Sequence, residues 1–106
     1  MDPMQFDQQL RMLGLEAERL TRFRDEVQAL LDEIRASVPR FLPPARGMLW
    51  RSAASGRYAE AAEELELLVG GVIHALQLAL GQTAIDLGGN ARELDRVRSE
   101  REAAGR

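Results

Sequence analysis

Apolar residues recur at Phe6, Leu10, Leu13, Ala17, Leu20, Phe23, Val27, Leu30, Ile34 and Val38, spaced by three or four positions throughout. Such spacing lines one face of a helix and does not suit a strand, whose faces alternate every second residue. It predicts one helix over about residues 3–38. The intervening Gln8, Gln9, Arg11, Glu18, Arg19, Arg22, Asp25, Glu26, Asp32, Glu33 and Arg35 make the solvated face. A one-residue skip at Phe23 and Arg24 resembles a coiled-coil stammer, where the seam slips by one position. Asp2, Pro3 and Gln5 make a starting signal: a capping carboxylate, a proline at the first helical position, and a polar partner three residues after the cap.

Pro39 and the pair Pro43-Pro44 are expected to end this helix, because each lacks an amide donor and disfavours helix in the preceding residue. Residues 39–51 then form a connector. Its Phe41, Leu42, Met48, Leu49 and Trp50 are too apolar for a free linker and are expected to pack over the end of a bundle. Ser52 or Ser55 can cap a second helix, with Glu60, Glu63, Glu64 and Glu66 in its first turns, where the helix dipole favours negative charge.

The second helix is expected over about residues 53–98, with a hinge possible at 88–90 and a frayed tail over 99–106. One apolar stripe contains Ala54, Tyr58, Ala61, Leu65, Leu68, Val72, Ala75 and Ala79. A second contains Val69, Ile73, Leu76, Leu80 and Leu87, and Leu67 and Leu78 widen the apolar surface. A helix with one neighbour needs one stripe. Two stripes imply two neighbours, either a third helix folding back after Gly88-Gly89 or a second chain. A second chain suits so short a sequence better. The expected partner interface is Leu65, Leu68, Val69, Val72, Ile73, Leu76 and Leu80, with Gly70, Gly71, Ala75 and Ala79 allowing close approach. Beyond Gly88-Gly89-Asn90, Ala91, Leu94 and Val97 keep a thin stripe alive, so the helix is expected to continue there.

The fold class expected is all-α: an antiparallel helical hairpin pairing into a four-helix bundle. At 106 residues the chain makes one small domain, and only 5% of it is aromatic. With no cysteine it has no disulfide framework, thiolate metal site or cysteine nucleophile, and with one histidine it has no multi-histidine site. His74 lies among Ile73, Ala75 and Leu76 with no nucleophile and orienting acid recognisable beside it, as a catalytic base would need. The four glutamates lack the Glu-x-x-His pairs of a di-metal bundle. Arg92, Arg96, Arg98 and Arg101 alternate with Glu93, Asp95, Glu100 and Glu102, which suits pairing within a helix. A net charge of −3 offers no footprint for nucleic acid. These features predict no catalytic residues, no cofactor, no metal and no nucleic-acid partner. The opening Met1-Asp2-Pro3 lacks the basic, then apolar, pattern of a Sec signal peptide. Leu67 to Leu80 falls short of the roughly 20 residues a membrane span needs. A soluble, cytoplasmic protein is expected.

Between the two helices stands Trp50-Arg51-Ser52-Ala53-Ala54-Ser55-Gly56-Arg57-Tyr58. In length, helix pattern and this central turn the chain resembles the WXG family, the small helical hairpins of type VII secretion. Ser52 stands where that family has glycine, making this a Trp-x-Ser variant; Ala54 and Tyr58 follow, the latter at the place of the family's recurrent aromatic. The resemblance implies homodimers or heterodimers of four helices, exported folded. It also implies a Tyr-x-x-x-Asp/Glu signal after the second helix of one partner. The sole tyrosine here, Tyr58, has Ala62 four residues on, so that signal is missing. The resemblance therefore implies a non-enzymatic partner, adaptor or substrate of type VII secretion, pairing with another hairpin or with the N-terminal helices of a toxin or effector. Such a protein is cytoplasmic or exported with its partner. The rival expectation is a cytoplasmic coiled-coil interaction or regulatory protein unrelated to secretion.

Overall fold

The computed structural model describes residues 2–46 and 53–105, with side chains over 2–40 and 56–105. It is an all-α helical hairpin of two long helices, α1 (Pro3–Arg46) and α2 (Ala53–Ala104). The start of α1 is closed reciprocally. The Gln5 amide donates to Asp2 Oδ1 at 2.8 Å, and the Asp2 amide donates to Gln5 Oε1 at 2.9 Å. Two orphan donors are thereby satisfied.

Three expectations are corrected. The first helix does not end at Val38, and residues 39–46 are no connector: α1 runs through Pro39, Pro43 and Pro44 to Arg46. Each proline removes only its own amide donor, while neighbouring residues keep theirs, so the helix loses bonds locally without being forced to stop. Pro39 and Pro43 are also one turn apart, which puts both defects on one side. The second helix does not fray after residue 98 but continues to Ala104, passing through Gly88, Gly89 and Asn90 without a positive φ among the described residues. Its end is held by Val97, completely buried, and by Arg101, which pairs with Asp7 of α1 at 2.7 Å. The third correction concerns the skip at Phe23. The inward positions are Phe6, Leu10, Leu13, Ala17, Leu20, Arg24, Val27, Leu31, Ile34 and Val38, an unbroken alternation of four and three in which only Arg24 is exposed. Leu31 is 2% exposed and Leu30 45%. No stammer interrupts the seam.

The inward face of α2 keeps the same seven-residue repeat, through Ala62, Glu66, Val69, Ile73, Leu76, Leu80, Thr83, Leu87, Asn90, Leu94 and Val97. A strict seven-residue repeat holds one seam against a neighbouring helix, because 3.5 residues per turn brings every a and d position back to the same side.

The hairpin divides into two compact units. One joins Met1–Glu26 to Leu80–Arg106; the other is Val27–Ala79. In the first, Phe6, Leu20, Thr83 and Val97 are buried, and the pairings of Asp7 with Arg101 and of Leu13 with Asn90 show the helices running antiparallel. In the second, Val27 and Leu31 are buried on α1 and face the half-buried side of α2 that carries Val69, Ile73 and Leu76.

Candidate protein interaction surface

The residues expected to contact a partner separate into two sets. Val69, Ile73, Leu76 and Leu80 are half-buried on the seam between the chain's own helices. Leu65, Leu68 and Val72 are not: they are 43%, 69% and 48% exposed. Leu67 at 77% and Leu78 at 61% lie beside them, and Ala61 and Ala75 are exposed on the same side. On the seven-residue repeat, Leu65, Leu68, Val72, Ala75 and Ala79 occupy the g and c positions, next to the seam but outside it. Sequence reasoning missed Leu30, which it placed in the core. It sits at a g position of α1, and antiparallel packing brings g positions of the two helices to the same flank. The signal was available in the strict repeat of seven, which selects Leu31 over Leu30.

Residues 67–85 of α2 contain no Asp, Glu, Lys or Arg, so the uncharged run extends past Leu80 to Ile85. The helix Gly56–Ala104 holds an 18-residue window of mean hydropathy 1.4 with 6% of it buried, so by length and composition it is apolar enough to cross a membrane. Its neighbour is not. Within the unit Val27–Ala79, α1 carries Asp32, Glu33 and Arg35, and charged groups in hydrocarbon are strongly disfavoured.

The described charges are arranged for pairing along helices. Arg19 donates to Glu16, and Arg96 donates to both Glu93 and Glu100. The hydrogen bond from Arg19 holds the Glu16 carboxyl below its ordinary value of 4.5, and Arg96 does the same to Glu93. Both guanidinium groups are pushed up in return, by the carboxylates they bind. His74 is exposed, and no cluster of three metal-ligating side chains occurs among the described residues. Two shallow depressions, lined by Gln5, Gln8, Gln9 and Met12 and by Ala17, Glu18, Thr21 and Arg22, each lie on one helix and gather no convergent catalytic set.

Of the turn residues, Trp50 and Ser52 lie outside the described residues; Ala54 falls in α2, with its side chain outside them. Tyr58, on the second turn of α2, is 43% exposed. No family model, curated protein or solved structure matches the chain.

Proposed function

We propose that this chain is a non-enzymatic helical interaction module that works by pairing its α2 flank with another helical protein, in the service of type VII secretion. The observation that carries the pairing is the group Leu65, Leu68 and Val72, three large apolar side chains left 43% to 69% exposed on one flank. Contiguous apolar surface of this kind marks an interaction site. The secretion role rests on the resemblance around Trp50, Ser52, Ala54 and Tyr58. The missing Tyr-x-x-x-Asp/Glu element makes the chain a partner or adaptor that leaves the cell with a companion, or stays behind once the companion has gone. A toxin or effector with a helical N-terminal hairpin is the companion class this reading names.

The test is fractionation of culture supernatant and cell pellet in a type VII-competent host, with and without the neighbouring hairpin or toxin gene. Export that depends on the companion, or on this chain's presence for the companion's export, supports the proposal. Export of neither under any combination points to the rival reading, an intracellular coiled-coil module, for which the unbroken seven-residue seam is equally suited.

A further inference from the structure

Within the unit Val27–Ala79 the two helices turn unlike backs away from their seam. On that side α1 carries Asp32 and Glu33, whereas α2 carries Leu67, Leu68, Gly71, His74, Ala75 and Leu78, all exposed. Charge is absent from α2 between Leu67 and Ile85, a stretch of about 27 Å at 1.5 Å per residue, and returns with Glu64 and Glu66 at one end and Asp86 at the other. Leu67 at a b position and Leu78 and Ile85 at f positions lie opposite the seam, 77%, 61% and 65% exposed. A partner helix on the flank of Leu65, Leu68 and Val72 buries one stripe and leaves this back uncovered. Protein interfaces also close with a polar rim around an apolar centre, and α2 has no charged residue on any side here to form one. Arg92 ends the line, one repeat beyond Ile85. Its guanidinium lies back over the glycine pair: a Cβ on Gly88 would stand 3.5 Å from Nη1, and one on Gly89 3.9 Å from Nη2. Arg96 holds both Glu93 and Glu100, and Arg92 makes no ion pair among the described residues, which leaves its planar fork to take a phosphate bidentately.

We propose that the back of α2 is a membrane-docking face. With the hairpin closed, α2 lies in the plane of a phospholipid surface, Leu67, Leu78 and Ile85 enter the boundary between headgroups and acyl chains, and Arg92 meets lipid phosphate. This goes beyond the pairing of the α2 flank and uses a different side of the helix. An interfacial helix needs one apolar and one charged face, and here the two helices supply one each. His74, midway along the line, suits that depth, because an imidazole offers an apolar body and a polar tip. The helix lies on the bilayer and does not cross it, since a closed hairpin cannot carry Asp32 and Glu33 of α1 into hydrocarbon. With a net charge of −3 on the chain, apolar insertion and not attraction to anionic lipid drives the docking.

The test is co-sedimentation of the full chain with vesicles of phosphatidylcholine and with vesicles of phosphatidylcholine and phosphatidylglycerol in equal parts. The wild type is expected to sediment with both, its two partition coefficients agreeing within about threefold. Leu78→Ser and Ile85→Ser should each lower partitioning about tenfold. Met12→Ser and Leu15→Ser, which remove comparably exposed side chains from the back of α1, should leave it unchanged. Arg92→Gln should weaken it about threefold, and no loss there overturns the phosphate contact. The chain contains no cysteine, so an environment-sensitive dye can be placed on Gly71→Cys, where nothing stands within 4 Å of a Cβ, or on Glu33→Cys. The first should shift to the blue with vesicles and the second should not; a shift at both overturns the closed hairpin lying flat. A chain that stays in the supernatant, or equal losses from the α1 and α2 variants, overturns the docking face. If the chain ignores vesicles while Leu78→Ser and Ile85→Ser abolish companion-dependent export, the back of α2 belongs to a protein and lipid is overturned, and the pairing module stands.

Discussion

Asn90 Nδ2 donates to the backbone carbonyl of Leu13 across the hairpin at 3.0 Å, from a part-buried inward position in the C-terminal third of α2. The Leu13 carbonyl lies inside α1, so the asparagine uses its second lone pair. A polar residue at a seam position specifies register more than it adds stability, because any slip leaves its amide without a partner in a half-buried place. Asn90→Ala is expected to destabilise by about 1 kcal/mol. Asn90→Leu should melt no lower than the wild type, yet show weaker amide-exchange protection in α1 from heterogeneous pairing. If the leucine variant were destabilised as much as the alanine variant, Asn90 would be contributing bond energy and not register.

The neighbours Leu30 and Leu31 distinguish an unbroken seam from a stammered one. Leu31 is buried and Leu30 is 45% exposed. Leu31→Ala should therefore cost about 2–5 kcal/mol in urea unfolding, and Leu30→Ala well under half of that at concentrations where the chain is monomeric. Equal losses would restore the stammer.

Pro39 sits inside α1 with no amide to give its turn. Pro39→Ala should raise the melting temperature, since it returns a helix bond and relieves a penalty of about 3 kcal/mol, offset by roughly 1 kcal/mol of unfolded-chain entropy. An unchanged or lowered melting temperature would mean that the segment around Pro39 does not depend on helix for its stability.

Acid should weaken both helices in a defined direction. Glu16 and Glu93 have folded-state pKa values held below the ordinary 4.5 by Arg19 and Arg96. A carboxyl depressed on folding contributes stability that is present above its unfolded value and lost as pH falls through its folded one. Thermal melts should be flat from neutral pH to about 5 for these groups and then decline below about 4.5, with a small amplitude because both side chains are solvated. Glu93→Gln should flatten part of that decline. A decline unchanged in the Glu16→Gln, Glu93→Gln double variant would assign it to other carboxylates.

Much of the hairpin is legible in the residues themselves. The three and four spacing from Phe6 to Val38 requires a helix, and Asp2, Pro3 and Gln5 mark its start, because capping and periodicity are local and depend on residues within a turn of one another. Two apolar stripes on α2 are equally visible, but the sequence does not say which one the chain uses for itself. That choice belongs to the pairing of α1 with α2. The strict seven-residue register puts Ile73 and Leu76 inward with Leu31, and the same rotation turns Leu65, Leu68 and Val72 outward. Likewise, three prolines read locally as a stop, whereas the folded chain carries α1 past them to Arg46. Local signals reach only a turn or so along the chain, whereas the face that turns inward is chosen by burial against the neighbouring helix, which only the paired helices define.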